Sequence, residues 1–279
     1  MSLKNIIVFV DPSLLGAART RYAVELALRH GSHLIGIFVA PSDWSMNPAD
    51  SYVRGREAIR RLIERYRTKE IAISKAASLS FNVATAREDI SFEFRIIREI
   101  DADDAKLHSL HADLVIVGHP GLGGLPRNWS AEALLRATGV PFLIVPDARK
   151  TRTIVEHVLV AWNASREARR AISDSLPLLM AAQSVSVVVV DPATNQRHGE
   201  DPGADIAVYL SRHGVHVTVE QMESKGSTVA DVILKYAERN NVDLIVLGAY
   251  SHSRSREIVF GGVTRSLLKS ATVPILIAH

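Results

Sequence analysis

Apolar residues along this chain fall in short blocks separated by longer amphipathic stretches. The first block, 6–10, reads Ile-Ile-Val-Phe-Val, a continuous β-branched-rich run that predicts a strand buried on both faces. Ser13 then stands where an N-cap is needed, and Leu15, Ala18, Tyr22 and Leu26 recur at helical spacing, predicting a helix over 14–30. His33 to Ala40 predicts a second strand, 50–78 a second helix, and the alternation of 92–97 a third strand. A short helix near 102–110, a strand at 113–118, a helix near 130–138 and a strand at 141–146 follow. The order then begins again: strand 156–162, helix 166–181, strand 184–190, helix 203–213, strand 215–222, helix 226–240, strand 243–248, helix 263–270 and strand 273–278. Alternating strands and helices imply β-α-β crossovers and a parallel sheet.

The recurrence reaches the residues themselves. Ala112-Asp113-Leu114-Val115-Ile116-Val117-Gly118 matches Val242-Asp243-Leu244-Ile245-Val246-Leu247-Gly248. Val140-Pro141-Phe142-Leu143-Ile144-Val145 matches Val273-Pro274-Ile275-Leu276-Ile277-Ala278. The openings align when Val8 is set against Val160, which puts Asp11 against Asn163 and Ser13 against Ser165. Ordered matches at a near-constant offset indicate a duplication. The expected domains are 1–147 and 153–279, joined by the short polar run 147–153, so the halves should pack together. The fold class is α/β: two tandem five-stranded parallel-sheet, doubly wound domains. Ligands of such sheets bind beyond the carboxyl ends of the strands, at the topological switch point.

Composition narrows the function classes. With 47% apolar and 23% charged residues the chain has a core's worth of hydrophobic side chains, which excludes a disordered protein. No run approaches the roughly 20 apolar residues of a membrane span, and the first residues lack the features of a secretory leader. No membrane partner and a cytoplasmic location are therefore expected. Cysteine is absent, which removes disulfides, thiol nucleophiles and cysteine-ligated zinc. The net charge of +3 is spread out. Its densest cluster, Arg54, Arg56, Arg60, Arg61, Arg65, Arg67 and Lys69 against Glu57, Glu64 and Glu70, reads as a solvated helix face. Aromatic residues near it are few, so no nucleic-acid partner is expected.

The loop after the strand at 243–248 carries the most chemistry. Gly248 ends a buried strand, where a missing Cβ lets a ligand approach the backbone. Gly261 and Gly262 precede a helix whose free N–H groups suit a phosphate, and Thr264 adds a hydroxyl. Arg254 and Arg256 lie between the two glycine sites. The same glycines also suit a plain strand–helix turn, so both readings stay open on physical grounds.

Across both halves the chain resembles the universal stress proteins, in the form with two stress-protein domains in tandem. The stretch Val160-Ala161-Trp162-Asn163-Ala164-Ser165-Arg166-Glu167-Ala168, running on to Leu176-Pro177-Leu178-Leu179, is similar to tandem bacterial members. The resemblance implies an adenine nucleotide alpha hydrolase-like, Rossmann-like fold and a non-catalytic stress-response protein. Many members bind ATP through Gly-x-x-Gly, nine residues, then Gly-Ser or Gly-Thr. Gly248, Ser251, Gly261 and Gly262 fall at those positions without insertion, with Ser251 replacing the second glycine and Gly262 the hydroxyl residue. Val263 and Thr264 continue the motif into the helix. The family's adenine-side Asp is matched by Asn163, followed by Ser165, which also reads as a helix cap. A backbone contact to adenine would come from Val189 or Val190. The cofactor implied is thus ATP, with or without Mg²⁺, in the second half. Since stress-protein domains often pair through the final strand, 141–146 and 273–278 are expected to pair within one chain, and a homodimer of chains is a further option.

In the first half, Gly118-x-x-Gly121 begins the motif, but the loop is three residues shorter, and Asn128-Trp129 fall where Gly261-Gly262 stand. Gly123, Gly124 and Ser130 offer a different anion site at best. Asp11 keeps the family acid, though Asp-Pro-Ser also reads as a turn and cap. This half is expected not to bind nucleotide. His30 with His33, and His108 with His111, are close in sequence but lack an evident third ligand. Asp101, Asp103 and Asp104 mark a helix start. Two competing functions remain. One is an interaction protein of the same fold with no working nucleotide site. The other is a slow ATPase or self-phosphorylating protein using Ser251, Ser253, Ser255 or Thr264, although no positioned base is visible.

Overall fold

The computed structural model describes residues 2–40, 53–86, 88–98, 108–119, 131–146, 155–194, 198–249 and 261–279. The first half contains β1 (Asn5–Phe9), α1 (Leu14–His30), β2 (His33–Ala40), α2 (Arg56–Thr85), β3 (Phe92–Arg98), β4 (Leu114–Gly118), α3 (Ala131–Thr138) and β5 (Phe142–Val145). The second contains β6 (His157–Ala161), α4 (Arg166–Ala181), β7 (Ser184–Val190), α5 (Ala204–Arg212), β8 (Val217–Met222), α6 (Val229–Arg239), β9 (Leu244–Gly248), α7 (Gly262–Ser270) and β10 (Ile275–Ala278). Of the short helix expected at 102–110, residues 102–107 lie outside the described residues, and 108–109 are helical.

Both halves contribute to one ten-stranded sheet, ordered β3-β2-β1-β4-β5-β10-β9-β6-β7-β8. Neighbours are parallel except at the seam, where β5 and β10 run antiparallel with Phe142 opposite Ile277, Leu143 opposite Leu276 and Ile144 opposite Ile275. The two end strands therefore pair inside the chain, as expected, and any homodimer of chains must use another surface. Alternation along each strand sorts side chains into two cores: Ile6 and Val8 face one, Ile7 and Phe9 the other. Helices α1, α2, α4 and α5 cover the first face, and α3, α6 and α7 the second.

The repeated aspartate has a structural cause. Asp113 accepts the N–H groups of Lys4 (2.7 Å) and Asn5 (2.9 Å), and Asp243 those of Glu156 (3.1 Å) and His157 (3.0 Å). Each carboxylate fastens the entry of its half's first strand to the neighbouring strand. Side chains also cross between halves. Arg29 donates to the carbonyls of Ala181 (2.8 Å) and Val155 (3.3 Å), engaging the last residue of α4. Tyr22, fully buried, has its phenol pKa pushed up by burial and by the charges of Asp243 in the other half and Glu25.

Helix α2 runs to Thr85 rather than 78 because its anchor lies late, at Ala77, Phe81 and Thr85. Phe81 packs on β2 at Gly36, where a Cβ would come within 2.6 Å of the ring. Its 30 residues span about 45 Å. The seven residues of β3 span about 23 Å. The helix leads into β3 at the amino end of the sheet, so its first turns stand past the carboxyl end. The basic cluster lies on that overhang, where Arg60 and Arg61 both pair with Glu57. Such exposed pairs add little stability. Among the described residues no helix is long and apolar enough to cross a membrane.

Candidate functional site

The second half's switch point is where β6 meets β7 on one side and β9 on the other. The turn after β6 holds two predicted residues. Asn163 is exposed, and its Oδ1 accepts the Ser165 N–H at 3.3 Å. Ser165 is buried and its hydroxyl accepts the Ala168 N–H at 3.1 Å, so it is the N-cap of α4. Ala164 between them adopts φ 56°, turning the chain so that Asn163 faces outward.

Val189 and Val190 separate clearly. On β7, Ser184 N–H and Val188 C=O bond towards the β6 segment, whereas Val185 N–H and Asp191 N–H bond towards the β8 segment. Even-numbered residues thus present their backbone to β6. That strand ends at Ala161, so Val190 turns its N–H and C=O towards the crevice. Val189 turns its own towards β8, with its side chain in the core. Of the two residues named from sequence, only Val190 offers backbone to the site.

Gly248 has a packing role. A Cβ there would lie 2.3 Å from the Ala168 nitrogen and 2.5 Å from the Glu167 carbonyl carbon. The missing side chain admits the first turn of α4. That turn also buries Glu167. Burial alone would raise the Glu167 pKa, but the hydrogen bond and charge of Arg166 (2.6 Å) hold it below the ordinary range.

The start of α7 is different. Gly261 at its N-cap supplies no side-chain acceptor, and the first turn has no acidic residue. Among the described residues no side chain caps the N–H groups of Gly262, Val263 and Thr264, at the positive end of the helix. A Cβ on Gly262 would meet nothing within 4 Å, so a side chain at that position would enter open space. Thr264 is buried. Ser251, Ser253, Arg254, Ser255 and Arg256 lie outside the described residues.

In the first half the turn after β1 holds an ion pair. Arg19, 2% exposed, donates from Nε to the Phe9 carbonyl (2.9 Å) and from Nη2 to Asp11 (2.5 Å). Asp11 also accepts the Ser13 N–H (2.9 Å) and hydroxyl. Burial would raise the Asp11 pKa, but Arg19 and Ser13 outweigh it and hold it low. The family acid is thus committed to an ion pair within its own half. The counterpart of Arg19 is Ala171, so α4 carries no arginine at the equivalent position. This pair was missed from sequence, although an arginine set amid the apolar stripe of α1 was a readable signal. Gly121, Gly123, Gly124, Asn128, Trp129, Ser130, Asp101, Asp103 and Asp104 lie outside the described residues. Among those described, no three His, Asp or Glu residues gather as a metal site. His33 bonds Ser91 (2.7 Å) and His108 bonds Arg95 (2.9 Å).

Comparison with known proteins agrees with the duplication. The model of the universal stress protein family matches residues 2–146 and again 155–279. Universal stress protein Slr1230 of Synechocystis is 25% identical, over 98% of this chain and 99% of that protein. Stress response protein NhaX of Bacillus subtilis is 23% identical, over 60% of this chain and 98% of its own. A crystal structure of a universal stress protein from Archaeoglobus fulgidus has the same fold, with a TM-score of 0.69 at 17% identity, covering 99% of this chain and 96% of that one.

Proposed function

Since the chain belongs to the universal stress protein family, with one copy of the domain in each half, we propose that it is a non-catalytic, cytoplasmic stress-response protein that binds one ATP in its second half. The observation that carries this reading is the start of α7, where Gly261 supplies no side-chain cap and the first turn has no acidic residue, as suits an anion at the positive end of the helix. In this reading Gly262, Val263 and Thr264 hold phosphate oxygens through their backbone. Val190 lends its N–H and C=O to the base, and the exposed amide of Asn163 adds a donor and an acceptor beside it. Gly248 fixes the end of β9 against α4, and the Ser251 loop leads from there to α7. No described cluster would hold Mg²⁺ by itself, so the metal would enter on the phosphates. With Asp11 engaged by Arg19, the first half serves as a packed partner. ATP occupancy then acts by changing the surface offered to other proteins.

The test is calorimetric titration with ATP and Mg²⁺, using the wild type and Gly262→Trp. That substitution imitates Trp129 and enters open space, so the fold should survive it. One site per chain, lost in the variant, is the expected result. Two sites would refute the account of the first half. No binding would leave the interaction protein without a nucleotide site as the better reading.

A further inference from the structure

The antiparallel seam brings the carboxyl end of β4 to the same edge of the sheet as the amino end of β10, with only β5 between them, and α7 leads into β10 at that edge. One side chain uses that proximity. His119, directly after β4, bonds through Nε2 to the carbonyl oxygen of Leu268 in α7. A carbonyl only accepts, so Nε2 carries the proton. The other ring nitrogen, Nδ1, is buried and has no hydrogen-bond partner among the described residues. The last four carbonyls of a helix lack partners within it, and the imidazole satisfies one of these.

The link runs one way. With Gly118 set on Gly248, the counterpart of His119 is Ala249, which has no side-chain donor. Its own N–H bonds to the Ala278 carbonyl at 2.7 Å. The counterpart of Leu268 is Leu135, whose carbonyl accepts the Gly139 N–H at 2.8 Å. The duplicated fold could hold such a bond in either direction. Among the described residues the bond runs only towards α7.

We propose that His119 is a positioning residue for the second-half nucleotide site: by holding the last turn of α7 it fixes the angle of the helix whose first turn faces the phosphates. At nine residues α7 is a rigid rod about 13 Å long. Releasing one end therefore displaces the other. Binding in the second half depends on a residue of the first, which gives the first half a function beyond packing. This rests on the ATP reading above.

The experiment compares wild type, His119→Ala, His119→Gln and Arg29→Ala by ATP titration and by amide exchange across 262–270 without ligand. The glutamine amide places an N–H donor close to the position of Nε2. Expected is about tenfold weaker ATP binding and faster exchange in α7 for His119→Ala, with both restored by His119→Gln. Arg29→Ala, which cuts side-chain bonds between the halves at a different place, should change neither. Unchanged α7 exchange in His119→Ala, failure of the glutamine rescue, or an equal loss in Arg29→Ala would overturn the proposal. If the wild type binds no ATP, the nucleotide reading fails, and the exchange data alone decide whether His119 holds α7.

Discussion

Replacing Gly248 with alanine separates packing from ligand approach. The added methyl would lie 2.3 Å from the Ala168 nitrogen, 2.5 Å from the Glu167 carbonyl carbon and 2.8 Å from the Glu167 Cβ. Two of these are backbone atoms of a capped helix turn, so no rotamer change relieves them. Ordinary contact requires the start of α4 to withdraw by about 1 Å, against the Ser165 cap and the buried Glu167. The cost belongs at the upper end of overpacking penalties, about 3 kcal/mol. With a urea slope of about 3 kcal/mol/M for a chain of this size, the midpoint falls by about 1 M. Gly262→Ala is the matched control. Its methyl enters open space, and the midpoint should stay put or rise slightly. Urea titration followed by circular dichroism measures both. Equal, small shifts in the two variants would refute the assignment of Gly248 to helix packing.

Two further outcomes follow from the same geometry. Asp11→Asn leaves the buried Arg19 charge uncompensated and should cost about 3 kcal/mol at neutral pH. Because the folded-state pKa of Asp11 is lowered, its contribution is present above the unfolded value near 3.8 and is lost as pH falls through the lower folded value. The gap between wild type and variant should therefore close below pH 4, and urea midpoints that stay equally separated from pH 7 to pH 3 would contradict this. On α2, the amides of 57–70 should exchange about a hundredfold faster than those of 76–85, since the buried anchors all lie at Ala77 and beyond. Uniform protection along the helix would mean the overhang is held by contacts not described above.

The repeat made most of the fold legible. Two copies of one strand–helix order predicted the parallel sheet, and the shared Val-Pro ending pointed to the strands that meet at the seam. Positions whose role is set by distant neighbours were harder to read. The packing demand on Gly248 was not legible, because sequence does not say that α4 passes over the end of β9. Val189 and Val190 could not be told apart, because strand parity relative to β6 depends on where β6 stops. Phe81 and Thr85 sit among serines and Asn82, so the end of α2 was placed too early, although Gly36 had been cleared for the ring. Ser165 was read as a cap, and it is one. The Arg19 pair was overlooked because Asp-Pro-Ser explains itself locally as a turn.

The β5–β10 seam has a genetic consequence. When two identical chains meet at such a seam, every inherited change arrives on both sides at once, and a substitution that suits one side must be tolerated by the other. A gene carrying both copies in one reading frame is free of that constraint. Arg19 and Ala171, Trp129 and Gly262, His119 and Ala249 occupy equivalent places and have diverged in opposite directions. A symmetric pair of subunits has no mutational route to that asymmetry. The fused chain reaches it one codon at a time.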